Sequence, residues 1–152
     1  MDGRPHRDIG IIICRNQGLV SVEERLMKFS RWVFNIAGVY GVISVAPLYF
    51  MEQAIGAQDP PPITHPMFFY GFVGVALAWQ LLFFAIVYQP VRLRPVIPFA
   101  VLEKLSFGIG AMVLYRRGRL DHSDLYFGGI DLALAVLFMV VWRRLAREGT
   151  PG

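Results

Sequence analysis

Four stretches of this chain are apolar for long enough to cross a bilayer, which takes ~20 mostly apolar residues at a rise of ~1.5 Å each. The first, about Trp32 to Met51, has no charged residue, and the second, about Pro66 to Gln89, lies in a still longer stretch without Asp, Glu, Lys or Arg. The third, Pro95 to Tyr115, contains Glu103 and Lys104, and the fourth, Leu125 to Trp142, contains only Asp131. The connections Glu52 to His65, Pro90 to Arg94 and Arg116 to Asp124 are short, which makes successive helices antiparallel neighbours. The pattern predicts an all-α fold: an integral membrane bundle of four antiparallel transmembrane helices within residues 27–148, with a short C-terminal tail at 149–152.

Proline positions agree with these bounds. Pro66, Pro95 and Pro98 fall in first turns, where a missing N–H is tolerated. Pro47 lies late in the first run and is expected to kink that helix or loosen its last turn. Pro60, Pro61 and Pro62 should make the first connection locally stiff and extended.

Residues 1–26 are mixed and polar, and their apolar run Ile9 to Cys14 is too short to span. Met27 then opens a short basic start, Met-Lys-Phe-Ser-Arg-Trp, before an apolar run. Two readings fit residues 1–26: a disordered polar tail, or an extension of the gene model ahead of a native start at Met27. A secretory signal peptide is a competing reading, because Ser44-Val45-Ala46 resembles a small-x-small cleavage site. Against it, Pro47 would follow the cut and the apolar run continues to Met51.

Composition supports the membrane reading. Of 152 residues 55% are hydrophobic, and the mean hydropathy of +0.49 is too high for an ordinary soluble domain of this size. The formal net charge is +4, but Lys and Arg lie between the apolar runs and form no continuous basic face, so nucleic acid is not expected as a partner. Cys14 is the single cysteine, which excludes an intrachain disulfide.

The basic residues instead mark topology. With the N-terminus inside, the inner segments hold Arg4, Arg7, Arg15, Arg25, Lys28, Arg31, Arg92, Arg94, Arg143, Arg144 and Arg147, against Arg116, Arg117 and Arg119 outside. Eleven against three predicts both termini in the cytoplasm, and the expected location of the multi-pass chain is the cell inner membrane. Starting at Met27 lowers the inner count to seven without changing the orientation. Tyr49, Tyr70, Tyr115 and Tyr126 would mark the outer interface, and Trp32, Tyr88 and Trp142 the inner one.

Charges inside the spans are the candidate chemistry, since each costs ~2.5–3.5 kcal/mol on insertion scales and must face protein or water. Counting rise per residue puts Glu103 and Lys104 ~12–14 Å in from the inner surface and Asp131 ~20 Å from it, within reach of a lysine side chain. A Lys104–Asp131 ion pair, or a shared polar pocket, is expected between the third and fourth helices. Glu103 and Lys104 are about 100° apart on a helix, so Glu103 needs another partner. Gln80 lies at similar depth, and its amide is expected to donate to Glu103. This intramembrane polar group of Glu103, Lys104, Asp131 and Gln80 reads either as interhelical glue or as a proton relay with Glu103 as the exchanging acid.

Small residues recur at helix-contact spacing, Ala37 with Gly41, Gly74 with Ala78 and Asp131 with Ala135, while Gly128 lies beside the Asp131 face. Packing explains these pairs, and one such face could serve a homodimer. His65 and His122 fall on the predicted outer side near Glu52, Asp59, Asp121 and Asp124, but neither has a second His at i+3 or i+4, so no metal site is expected. Ser44, Ser106 and Ser123 have no nucleophile context, and no catalytic residue is assigned.

The phrases Tyr70-Gly71-Phe72 to Trp79-Gln80, Pro90-Val91-Arg92-Leu93-Arg94-Pro95 and Val101-Leu102-Glu103-Lys104, followed by a helix bearing Asp131, resemble small uncharacterised bacterial membrane proteins over about residues 66–143. In architecture the chain is also similar to the DoxX-like group of four-helix membrane proteins, some of which are associated with quinone-linked redox systems. No diagnostic motif of that group is matched, so neither activity nor site is carried over.

Three functions follow in order. The first is a non-enzymatic accessory or partner-binding membrane subunit, because every polar feature can be assigned to packing or topology. The second is proton-coupled or small-solute transport through Glu103, Lys104, Asp131 and Gln80. The third, resting on architectural resemblance alone, is a membrane subunit of a quinone-linked redox system. The expected partners are the lipid bilayer and either another membrane protein or further copies of this chain. No cofactor is expected, since no cofactor ligand pair is present.

Overall fold

The computed structural model describes residues 5–58 and 61–148, with side chains described over 23–58 and 61–147. Over the described residues the chain is all-helical: α1 Pro5–Val45, α2 Glu52–Gln58, α3 Pro66–Tyr88, α4 Ile97–Arg116 and α5 His122–Glu148, with 3₁₀ turns at Ala46–Phe50 and Arg94–Val96. Four segments are long and apolar enough to cross a membrane: Glu23–Phe50, Pro66–Tyr88, Arg94–Arg116 and His122–Arg147.

The helix ends follow local chemistry. Pro47 cannot donate to an α-helical ladder, so α1 stops at Val45 and the chain tightens into the 3₁₀ turn that contains the proline. The connection expected to be extended holds a helix in its first half, α2, because the stiff Pro61-Pro62 segment comes only after it. The third span begins as a 3₁₀ turn at Arg94, so its α-helix starts at Ile97. At the far end of α4 the chain reverses through Gly118 at φ +65°, with Gly118 N–H donating to the Tyr115 carbonyl (2.9 Å) and Arg119 N–H to that of Leu114 (3.0 Å). This is a Schellman cap, for which glycine has no Cβ penalty. The last helix outruns its apolar stretch, and Arg94 Nη1 donates to the Leu145 carbonyl near its end (3.2 Å).

The helices pack as two pairs. α1 lies along α3 and α4 along α5, the pairs join chiefly through α1 and α5, and the backbones of α3 and α4 scarcely meet. Small residues set both pairings: a Cβ on Gly38 would come within 2.9 Å of the Phe84 ring, one on Gly41 would overlap the Gln80 amide, and one on Gly128 would press on Ala111 at 2.7 Å. The core fills one half of the bundle around Phe34, Phe83 and Phe138, rings from α1, α3 and α5. Phe34 and Phe138 stack at 4.3 Å, and Phe83 meets Phe138 edge-on at 5.1 Å. The outward faces are apolar as well, with Trp32, Ile43, Val75, Leu81, Leu102 and Val136 all exposed. Such a surface suits hydrocarbon rather than water.

Candidate functional site

Lys104 lies on the buried stripe of α4 formed by Ala100, Val101, Lys104, Gly108 and Ala111, which recurs at helical spacing and faces α5. Beyond Lys104 that stripe is small, and Gly108 and Ala111 let Gly128 of α5 approach closely. Asp131 is brought alongside as a result. Lys104 is 5% and Asp131 7% exposed, and the Lys104 Nζ is 3.3 Å from both Asp131 Oδ1 and Oδ2.

Glu103 shares the same ammonium, with Oε2 at 3.3 Å and Oε1 at 3.4 Å from Nζ. Contrary to the expectation from helix angle, Glu103 pairs with its own neighbour, because the lysine stem is flexible enough to bring its ammonium back to the adjacent carboxylate. The ammonium also sits 5.5 Å above the Phe83 ring, at the boundary with the aromatic core. One ammonium therefore serves two carboxylates, each at the long end of hydrogen-bonding distance.

The expected Gln80 to Glu103 hydrogen bond is also corrected. Gln80 is only 1% exposed, and its Nε2 donates to the Ala76 carbonyl one turn back on its own helix (3.0 Å). The side chain folds into the space that Gly41 leaves on α1. Gln80 Oε1 has no hydrogen-bond donor, and Glu103 Oε2, although near the ammonium, lies outside hydrogen-bonding geometry. Two buried acceptors are left unsatisfied in one region.

All four polar residues line a single cavity of about 800 Å³ in the half of the bundle away from the aromatic core. The cavity extends from Gln80, Glu103, Lys104 and Asp131 to Leu48, Leu120 and Asp124 near the α4–α5 connection. Small residues Ser44, Ala76 and Gly110 are among its lining, and an added Cβ on Gly110 would meet no atom within 4 Å. Its volume falls in the range of sites for small organic molecules, ~300–1,000 Å³.

Sequence reasoning missed the aromatic lining of Tyr40, Phe72, Trp79, Phe107 and Phe127, and the place of Asp124 beside it. The available signal was the clustering of small residues in the same halves of three spans. Of the remaining candidates, Ser44 and Ser106 line the cavity, and Ser106 donates to the Glu103 carbonyl (2.8 Å). His65 and His122 stand outside its lining: His65 Nδ1 is 2.8 Å from Thr64 Oγ1, and His122 Nδ1 is 3.0 Å from the Tyr115 hydroxyl. Tyr70 donates to Glu52 Oε2 at 2.6 Å, tying the start of α3 to α2. Comparison with protein-family models, curated proteins and solved structures finds no match to this chain.

Proposed function

We propose that this chain is a multi-pass protein of the cell inner membrane whose four antiparallel spans flank a half-open cavity that binds a small solute, moved in exchange for a proton carried by Glu103. The observation that carries this reading is the cavity of about 800 Å³ reaching the buried Glu103, Lys104 and Asp131. Packing alone would require only the paired charges, and the open volume beside them is what a solute pathway needs. Each carboxylate accepts one hydrogen bond from Lys104, Asp131 through Oδ2 at 3.3 Å and Glu103 through Oε1 at 3.4 Å, and Glu103 is the candidate exchanging acid because its Oε2 is a buried acceptor left without a donor.

The antiparallel arrangement is supported by contacts between ends. Tyr49 of the turn after α1 stacks on Tyr70 in the first turns of α3 (5.9 Å), and Arg94 ahead of α4 bonds to Leu145 near the end of α5. The excess of Lys and Arg near the other ends of these spans favours cytoplasmic termini. After replacement of Cys14, a cysteine at Ser123 should react with a membrane-impermeant maleimide on intact cells, and one at Arg147 only after permeabilisation. The reverse pattern would invert the orientation.

Flux tests the function itself. In proteoliposomes, Glu103→Gln should abolish proton-linked solute flux while leaving the protein folded. Wild-type protein that carries no flux, or a variant that carries it unchanged, rejects proton exchange at this residue. The accessory-subunit reading would then be the one left standing.

A further inference from the structure

We propose that the solute taken up by this cavity is a lipophilic organic cation. The inference rests on the small-solute reading above and adds the chemical class.

Charge balance is the first ground. Among the described residues three carboxylates line the cavity, Glu103, Asp124 and Asp131, against the single ammonium of Lys104. The basic residues of the neighbouring connection, Arg116, Arg117 and Arg119, are outside the lining. At the buried end two carboxylates divide one ammonium at 3.3–3.4 Å. With both carboxylates ionised that end is one positive charge short, a shortfall that either the proton on Glu103 or a bound cation makes up.

Hydrogen bonding points the same way. Gln80 Oε1 and Glu103 Oε2 are buried acceptors without donors, and Gln80 is almost completely buried. Both atoms are packed away from the open volume, Oε1 against Gly41, and leave uncompensated negative potential behind the wall, which an anion would aggravate and a cation would offset.

The walls supply the third ground. Aromatic rings line the cavity from all four long helices: Tyr40 of α1, Phe72 and Trp79 of α3, Phe107 of α4 and Phe127 of α5. Ring faces attract cations and accept apolar bodies, so positive charge and hydrophobic bulk are accommodated in one solute. A small hydrated ion would leave most of this wall unused.

The test uses the full chain in lipid nanodiscs and two probes that share four phenyl rings and differ in the sign of charge, tetraphenylphosphonium and tetraphenylborate. Equilibrium dialysis against protein-free nanodiscs separates binding from partition into lipid. Tetraphenylphosphonium should bind saturably, one per chain, and tetraphenylborate no more than to the protein-free discs. Glu103→Gln keeps the shape, removes one charge and should weaken phosphonium binding by about tenfold or more. Gly110 lines the cavity where an added Cβ meets no atom within 4 Å, so Gly110→Phe should fill the space and abolish binding without disturbing the helices. Helix content by circular dichroism checks both variants, and if one does not fold the other still decides. Saturable borate binding without phosphonium binding overturns the cation and leaves the small-solute reading intact. Absence of both overturns the two together. Phosphonium binding untouched by both variants assigns it elsewhere and also overturns the proposal.

Discussion

Lys104 is the residue on which the polar group turns. Among the described residues its ammonium is the only positive charge lining the cavity, and it lies within 3.4 Å of two carboxylates, so removing it strands both. Lys104→Met should destabilise the protein by ~3–5 kcal/mol, the usual cost of breaking a buried pair from one side. Replacing Lys104 and Asp131 together with apolar residues should cost less than that single change, as read from unfolding in mixed detergent micelles. Additive losses would mean that the pair has no coupling. The charges themselves were legible in the sequence, because any charge inside an apolar run stands out and its depth can be counted. Their bonding was not. Gln80 had a choice between a carboxylate on another helix and the Ala76 carbonyl one turn back on its own, and the space left by Gly41 is visible only in three dimensions.

At the level of elements, apolar run length gave four membrane-length segments, since hydrocarbon thickness sets their extent, but not the reach of α1, which runs back to Pro5 through residues expected to be a polar tail. It did not reveal α2, whose seven residues are too few to display a helical period, nor that α5 continues into its arginine-rich end. Glycines divide into those that hold elements together and those that leave space. Gly128 is pressed by Ala111, so Gly128→Leu should force α4 and α5 apart and cost ~1–3 kcal/mol or more. Gly110 has nothing within 4 Å of an added Cβ, so Gly110→Ala should be neutral or stabilise by up to ~1 kcal/mol through reduced chain entropy. Thermal unfolding of the two variants compares them directly, and equal effects would remove the distinction.

On the scale of the whole molecule, the least legible feature was the empty volume. Hydropathy separates apolar from polar positions, but a cavity depends on which side chains of different helices come opposite one another. Here Phe34, Phe83 and Phe138 meet in one half, while Ser44, Ala76 and Gly110 line the open half. The pairing of helices has a consequence for assembly. α1 with α3 and α4 with α5 are each neighbours in the chain, whereas the backbones of α3 and α4, joined by a short connector, scarcely meet and touch through side chains such as Phe72 on Phe107. Severing the chain at Val91 would remove a tether and almost no packing surface. Two co-expressed fragments, ending and beginning there, should therefore copurify as one complex, held by α1 against α5 and by the three phenylalanine rings. What the intact connector supplies is local concentration, of millimolar order for a short link, so the severed protein should come apart on dilution while the continuous one does not.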